Sequence, residues 1–182
     1  PWLIIDNRLE GSAEDSGSIL TANPTEYSGD FASPEQMIPP QGLTDIHGKS
    51  IPWESCITLN DNWGYCAGDH CYKSSRMVIR NLVECVSKNG NMLLNVGPNA
   101  KGQIPDESLA ILKEVGVWMK KNHDSIYGCG ISELPKPEWG RYTQKGNKLY
   151  AHIYEECINA VCVDLPPERV AAIRLVADGS EI

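Results

Sequence analysis

The apolar positions of the chain are most concentrated in residues 91–98, Asn-Met-Leu-Leu-Asn-Val-Gly-Pro. Four apolar side chains, interrupted once by Asn95 and closed by a Gly-Pro pair, predict a strand that is buried on both faces, as in a parallel sheet. Residues 73–87 and 108–121 carry apolar side chains at steps of three and four residues, which predicts an amphipathic helix on each side of this strand. The centre of the chain is therefore predicted to be a helix, a buried strand and a second helix.

Two further strands are predicted before this unit. Residues 3–5 are apolar and are followed by Asp6, and residues 53–59 form a run that ends in polar side chains. Between them, residues 33–36 have the sequence Ser-Pro-Glu-Gln, a capping-box pattern that predicts a short helix. Strands alternating with helices indicate an α/β fold with a parallel sheet, either doubly wound or a (β/α)8-like barrel. Both folds need more strands, which we expect upstream of Pro1.

After residue 128 the apolar pattern changes to a period of two. Residues 148–154, 160–165 and 172–176 are short alternating segments, separated by Gly-Asn, Pro-Pro and Asp-Gly turn signals. This pattern predicts antiparallel strands and a second domain that resembles the beginning of a β-sandwich. The domain boundary is expected in the proline-containing linker at residues 132–138.

The composition limits the possible partners. The 182 residues are 41% hydrophobic and carry a formal net charge of -8 without a run of Lys or Arg. Nucleic acids and anionic membrane surfaces bind clustered positive charge, so neither is predicted as a partner. No apolar stretch approaches the roughly 20 residues of a membrane helix. Because the chain starts with Pro1 rather than Met, we expect it to begin within a longer gene product, and its localisation stays open.

The seven cysteines show no recognisable pairing pattern. Their number is odd and several fall in predicted helices or strands, so we interpret them as free buried thiols. Cys66, His70 and Cys71 lie close enough in sequence to ligate zinc, or the two thiols could pair. A four-coordinate structural zinc site needs a second ligand pair, and the sequence offers none at ligand spacing. We therefore predict no metal and no cofactor.

Four side chains are candidates for a functional site, because parallel α/β folds place their chemistry near the carboxyl ends of strands. Arg8 could bind an anion or a hydroxyl group, or pair with a surface acid. Glu35 could act chemically, or complement the dipole of the predicted short helix. Glu54, at the start of a strand, also suits a structural salt bridge. Trp63 could be a stacking platform for a sugar, or part of the core.

Several motifs occur in a fixed order between about Leu3 and Gly128. They are Gly29-Asp30-Phe31, Ser33-Pro34-Glu35-Gln36, Trp53-Glu54 followed by Cys56, Thr58, Asn60 and Trp63-Gly64-Tyr65, then Ser87-Lys88-Asn89-Gly90-Asn91-Met92-Leu93-Leu94-Asn95-Val96-Gly97-Pro98, and Gly116 with Trp118 before Ile126-Tyr127-Gly128. Together, these motifs resemble glycoside hydrolase family 29, the α-L-fucosidases. The resemblance implies a (β/α)8-like catalytic barrel, with its C-terminal portion at residues 1–131, followed by a C-terminal β-sandwich that begins at residues 132–182.

The resemblance also implies retaining hydrolysis of terminal α-L-fucose from glycoconjugates or oligosaccharides. By similarity, Glu35 falls at the position of the acid/base, Arg8 reaches the fucose pocket, and Trp63 packs against the apolar face or methyl group of fucose. We count Glu54 as a further substrate-binding candidate. The expected partner is a fucosylated glycan.

This sequence departs from the family in one important way. The family's nucleophilic aspartate and its fucose-binding histidines lie on earlier strands, and neither motif is present here. We therefore expect the chain as given to be inactive or nearly so, and its exposed strand edges to favour self-association into a homo-oligomer. The alternative is a non-catalytic carbohydrate-binding module derived from a fucosidase barrel. A third hypothesis is a structural zinc or redox protein built on Cys66, His70 and Cys71.

Overall fold

The computed structural model of the chain describes residues 3–6, 30–45, 47–155 and 160–182. Its strands and helices follow one another along the chain with short connections. They are β1 (Leu43–Thr44), β2 (Ser50–Ile51), β3 (Trp53–Thr58), α1 (Ser75–Val86), β4 (Gly90–Asn95), α2 (Asp106–Asn122), a 3-10 turn (His123–Ser125), β5 (Gly140–Lys145), β6 (Lys148–Ile153) and a second 3-10 turn (Pro167–Arg169). None of the described helices is long and apolar enough to cross a bilayer.

A parallel sheet forms the centre of the first part of the chain. Strands β3 and β4 pair in parallel, from Trp53 opposite Gly90 to Thr58 opposite Asn95. The other edge of β3 makes parallel bridges to residues 32 and 35, and residue 31 bridges in turn to Asp6. Four successive segments of the chain therefore lie side by side in the same direction, as the sequence predicts for an α/β fold.

The short helix predicted at residues 33–36 is wrong. The segment is extended and pairs with β3: Cys56 N–H donates to the Pro34 carbonyl at 3.0 Å, and Gln36 N–H donates to the Cys56 carbonyl at 2.8 Å. Pro34 disfavours a helical conformation at the residue before it, and the free edge of β3 offers backbone partners that a short helix would forgo. Glu35 therefore stands beside a strand and not in the first turn of a helix.

The two predicted helices are confirmed with small changes at their ends. The side chain of Ser74 caps α1 by accepting a hydrogen bond from Met77 N–H at 3.2 Å. Helix α2 follows Pro105, with acidic residues in its first turn and lysines in its last, as the helix dipole favours. The buried face of α1 supplies Cys85 to a cluster with Trp53 and Ala32, so α1 covers one face of the sheet.

The prediction that β4 is buried on both faces is wrong for the described residues. Met92 packs against the cluster under α1, but its neighbour Leu93 is 46% exposed on the opposite face. The predicted strand at residues 3–5 is exposed as well, with Leu3 at 75%. In the part of the chain that the structure describes, no element covers this side of the sheet, which we call the open face. By alternation and register it carries Glu35, Glu54, Cys56, Leu93 and Asn95.

The second part of the chain contains a β-hairpin, β5 and β6, that turns at Gly146. Strand β6 is predicted by the sequence, whereas β5 is not, because it has few apolar residues. The strands predicted at 160–165 and 172–176 are wrong: in the described residues 160–182 the pairing is limited to one bridge, between Arg174 and Glu181. Apolar alternation stabilises a strand only where a neighbouring strand or a covering face is available.

The hairpin packs on α1 through charged side chains. Arg141 of β5 makes a two-pronged contact with Glu84 of α1, donating from Nε to Oε1 at 2.6 Å and from Nη2 to Oε2. Lys88 adds an ion pair to the same carboxylate at 2.9 Å. Burial by itself would raise the pKa of Glu84, but the hydrogen bonds from Arg141 and Lys88 outweigh that effect and lower the pKa. Glu84 is therefore held as a carboxylate between helix and hairpin.

Candidate functional site

The candidate site lies where the parallel segments end. Glu35 is exposed, and its backbone bridges to Cys56 near the end of β3. On the other edge of the Glu35 segment, the Ser33 hydroxyl donates to Asp6 Oδ2 at 2.6 Å. Because Ser33 and Glu35 are two residues apart in an extended segment, their side chains share one face. The carboxylate of Glu35 is thus presented on the open face, one residue before the chain leaves the sheet.

Gln36, the residue after Glu35, determines the direction in which the chain leaves the sheet. Gln36 has a φ of 55°, a left-handed conformation that is uncommon for a residue with a side chain. Its amide makes two contacts with Thr58: Nε2 donates to the Thr58 hydroxyl at 2.9 Å, and Oε1 accepts from Thr58 N–H at 3.2 Å. These bonds hold the unusual backbone in place at the carboxyl end of β3. The direction in which the chain leaves the sheet after Glu35 is therefore set by the contact between Gln36 and Thr58 of β3.

Glu54 lies on the same face but nearer the amino ends of the strands. It is opposite residue 33 in the register, whereas Glu35 is opposite Cys56. Strand geometry then separates the α-carbons of Glu54 and Glu35 by roughly 8 Å. The structural salt bridge considered for Glu54 is not found among the ion pairs of the described residues. Glu54 is half-buried and one layer deeper than Glu35.

Trp63 lies in the loop after β3 and is on the surface, 41% exposed. Tyr65, two residues on, is 53% exposed. The alternative that Trp63 belongs to the core is therefore wrong for the described residues. Two exposed aromatic side chains at the carboxyl end of a strand give this loop an apolar surface suited to the face of a ligand ring.

Asp69 closes the loop that carries Trp63. Its carboxylate accepts from Asn62 Nδ2 at 2.7 Å, from Asp61 N–H at 3.0 Å and from Cys71 N–H at 2.9 Å. The side-chain bond from Asn62, followed by the backbone bond from Cys71, lowers the pKa of Asp69, so the carboxylate stays charged. Sequence analysis missed this role, although an aspartate inside a polar loop is a common signal for a backbone clamp.

A second residue that the sequence analysis did not assign is Asn95 at the end of β4. Its backbone carbonyl accepts from Leu59 N–H at 3.0 Å, which joins the ends of the two strands. Its side-chain Oδ1 is buried and finds no hydrogen-bond partner among the described residues. The interruption of an apolar run by asparagine was the available signal, because a buried amide normally has a partner.

The cysteine-rich loop does not assemble the zinc ligands that the alternative hypothesis requires. Among the described residues, the group of potential ligands with its atoms within 4.8 Å of one another consists of Asp61, Asp69 and Cys71. It includes neither Cys66 nor His70, and Asp69 is already engaged by three donors within the loop. The six described cysteines are free thiols, as predicted, but the prediction that these thiols are buried is wrong for all of them except Cys85. Burial raises the pKa of Cys85 to about 12. Cys157 lies outside the described residues.

Arg8, the fourth candidate, lies outside the described residues. Of the other three candidates, Glu35 and Glu54 lie together on the open face of the sheet. The structure also presents Trp63 on a loop at the carboxyl end of the same sheet.

Comparison with known proteins identifies the family. The alpha-L-fucosidase profile matches residues 10–124. An alpha-L-fucosidase of Dictyostelium discoideum is 32% identical over 112 residues, which are 59% of this chain and 24% of that protein. The chain thus spans about a quarter of this curated relative.

Solved structures agree with the sequence comparison. Alpha-L-fucosidase isoenzyme 1 from Paenibacillus thiaminolyticus is 59% identical, with a TM-score of 0.87, and the match covers 98% of this chain and 41% of that one. A family 29 alpha-L-fucosidase from Bacteroides thetaiotaomicron, solved as a covalent intermediate with 2-fluoro-fucosyl fluoride in a Glu-to-Gln mutant, is 25% identical with a TM-score of 0.80 over 100% of this chain and 42% of that one. The chain therefore belongs to the alpha-L-fucosidase family, glycoside hydrolase family 29, and corresponds to part of a fucosidase domain.

Proposed function

We propose that the chain supplies the acid/base side of the active site of a retaining α-L-fucosidase. Family membership supports the reaction class. The observation that carries the assignment is the exposed carboxylate of Glu35 at the carboxyl ends of the parallel segments. Enzymes with parallel strands hold their catalytic groups at this end, where loops vary while the sheet stays rigid.

Retention of configuration requires two displacements at C1 of fucose. In the first, a nucleophilic carboxylate from the remainder of the enzyme bonds to C1, the bond from C1 to the leaving oxygen breaks, and Glu35 gives that oxygen its proton. In the second, the Glu35 carboxylate takes a proton from water, and the water oxygen bonds to C1 as the glycosyl ester breaks. The covalent intermediate trapped in the Bacteroides thetaiotaomicron relative supports this scheme.

The remaining candidates bind the sugar. Fucose is a 6-deoxy sugar, so a selective pocket needs an apolar wall for its methyl group and polar partners for its ring hydroxyls. The exposed indole of Trp63 supplies the wall. Arg8 donates to a hydroxyl, and Glu54, one layer deeper on the open face, accepts from another. Terminal α-L-fucose on a glycan is therefore the proposed substrate.

The proposed role also accounts for the open face. We assign residues 1–131 to the C-terminal portion of a (β/α)8-like barrel and residues 132–182 to the beginning of a β-sandwich. The exposed Leu3 and Leu93 would then pack against the rest of the barrel. Expressed without that cover, the chain would expose unpaired strand edges and self-associate.

A non-catalytic carbohydrate-binding module is the second candidate. The two exposed aromatic side chains of the loop after β3, Trp63 and Tyr65, favour it, because such a surface binds sugar without any carboxylate chemistry.

The deciding experiment measures release of nitrophenol from an aryl α-L-fucoside. The chain as given is compared with the product of the same gene extended upstream to its start codon. Activity confined to the extended protein is expected, because the nucleophile would come from the added part. A folded extended protein that binds fucose without hydrolysing the fucoside would overturn the enzyme proposal in favour of the binding module.

A further inference from the structure

The loop that carries Trp63 lies directly against the exit of β4. The contact is formed by backbone: an ideal Cβ built on Gly97 would stand 2.6 Å from the carbonyl carbon of Gly64, 2.7 Å from its oxygen and 2.7 Å from the nitrogen of Tyr65. Real Cβ atoms essentially never approach other heavy atoms this closely. Only glycine at position 97 therefore permits this approach.

The requirement for glycine at 97 is steric and not conformational. Positive φ angles are found at other glycines, such as Gly102 and Gly128, but not at Gly97. The opposing atoms belong to the backbone of Gly64 and Tyr65, so no side-chain rotation can make room. A side chain at 97 would have to move either the loop or the end of β4.

The contact lies between two other anchors of the same loop. At its start, Leu59 N–H donates to the carbonyl of Asn95, two residues before Gly97. At its far end, the carboxylate of Asp69 holds Asp61, Asn62 and Cys71. Between these anchors the backbone of Gly64 and Tyr65 lies against Gly97, and Trp63 is the residue next to Gly64.

We propose that Gly97 is a positioning residue for fucose recognition. Because Gly97 has no side chain, the backbone of the loop after β3 packs directly against it, and this contact holds the indole of Trp63 where it forms the apolar wall for the sugar methyl group. This inference rests on the proposed function, in which Trp63 contacts C6 of fucose. Gly97 itself touches no substrate. Its effect is on where Trp63 stands, and hence on discrimination between fucose and the same sugar with a hydroxyl on C6.

The test compares Gly97→Ala with Gly116→Ala in the extended protein. Gly116 lies within α2 and has open space around its α-carbon, so alanine is tolerated there. The readouts are kcat and KM for aryl α-L-fucoside and for the matching aryl α-L-galactoside, which differs by the C6 hydroxyl. For Gly97→Ala, the ratio of kcat/KM values for the two sugars is expected to fall roughly tenfold, mainly through a higher KM for the fucoside, because one apolar contact is displaced. Gly116→Ala should leave the ratio unchanged.

Trp63→Ala alone and the double variant of Trp63→Ala with Gly97→Ala test the roles of Trp63 and Gly97 separately. If Trp63→Ala does not change the ratio, the proposed role of Trp63 fails. If Trp63→Ala lowers the ratio while Gly97→Ala does not, or if Gly97→Ala lowers it again in the Trp63→Ala background, the inference about Gly97 is overturned.

A second variant covers the case in which Gly97→Ala does not fold. Asp69→Asn weakens another anchor of the same loop and changes neither Trp63 nor Gly97. It should lower the same ratio of kcat/KM values. An unchanged ratio in a folded Asp69→Asn protein would mean that the seating of the loop does not govern recognition, and it would overturn the inference.

Discussion

The indole ring of Trp53 lies against Gly90, its register partner in the parallel sheet. A Cβ at Gly90 would stand 2.2 Å from a ring carbon of Trp53, and the indole Nε1–H donates to the carbonyl of Lys88 at 3.2 Å. The ring is almost completely buried and joins the cluster between the sheet and α1. Glycine at the start of β4 is therefore the condition for packing this large side chain.

Gly90→Ala should lower the free energy of unfolding by about 1–3 kcal/mol, because the added methyl group overpacks a rigid core. Gly116→Ala is the matched control, since alanine in an open helical position stabilises by about 0.5–1 kcal/mol. Urea unfolding of the extended protein measures both changes. Equal stability of the two variants would contradict the close contact between Gly90 and Trp53.

The pairing of Glu84 with Arg141 and Lys88 should stabilise the contact between α1 and the hairpin. Glu84→Gln keeps the shape but removes the charge, and we expect a loss of about 2 kcal/mol, as for hydrogen bonds to charged groups. Glu133→Gln, which breaks an exposed ion pair with Arg169, should cost less than about 1 kcal/mol. Thermal unfolding near neutral pH compares the variants, and a similar loss for both would show that Glu84 is no more than a surface charge.

The pKa of His152 predicts acid sensitivity in a defined range. Burial lowers this pKa from 6.5 to about 4. The Thr143 hydroxyl donates to the Ser125 carbonyl at 2.7 Å and lies 2.9 Å from His152 Nε2, an arrangement that suits a neutral imidazole donating from Nε2. The unfolded chain then binds the proton more readily than the folded chain, so stability is full above pH 6.5 and falls as the pH drops towards about 4.

The expected loss over that range is roughly 3 kcal/mol, since each pKa unit corresponds to about 1.4 kcal/mol. His152→Gln should flatten this part of the stability curve, whereas His123→Gln, at an exposed position, should leave its shape unchanged. Denaturant midpoints measured between pH 7 and pH 4 provide the comparison. Parallel curves for the wild type and His152→Gln would refute the lowered pKa of His152.

The elements with strong periodicity could be predicted from sequence, and those that depend on a neighbour could not. Strand β3 and the two helices were predicted because each carries its own pattern of apolar residues. Residues 33–36 satisfy a local helix-capping rule, yet the free edge of β3 recruits them into the sheet. At residues 172–176 the alternation is present, but the described residues offer it no strand ladder.

The candidate site shows the same division. The motif around Glu35 and the aromatic loop at Trp63 are visible as sequence patterns. The roles of Gln36 and Gly97 follow from distances between segments that are far apart in sequence or from backbone angles, and no local pattern encodes these. Asp69 differs, because its contacts lie within its own loop and an aspartate in a polar loop was a local signal for them. Sequence therefore identified the residues expected to act, while the residues that hold them in place became evident only in three dimensions.

The role of Glu35 predicts a dependence on the leaving group. Nitrophenolate departs without a proton, whereas the oxygen of a sugar needs one, so an acid matters for the second substrate and little for the first. In the extended protein, Glu35→Gln should lower kcat/KM for a fucosylated oligosaccharide by about 10²–10⁴-fold and affect cleavage of the aryl fucoside bond far less.

Glu54→Gln is the control for this experiment, because it removes a carboxylate from the same face of the sheet without removing the acid. As a substrate-binding residue, Glu54 contacts the fucose that both substrates share, so its variant should raise KM for both by a similar factor. Equal losses on the two substrates in Glu35→Gln would mean that Glu35 also acts on the shared sugar, and the proton donor would then have to be another group. A loss confined to the oligosaccharide identifies Glu35 as the residue that protonates the departing oxygen.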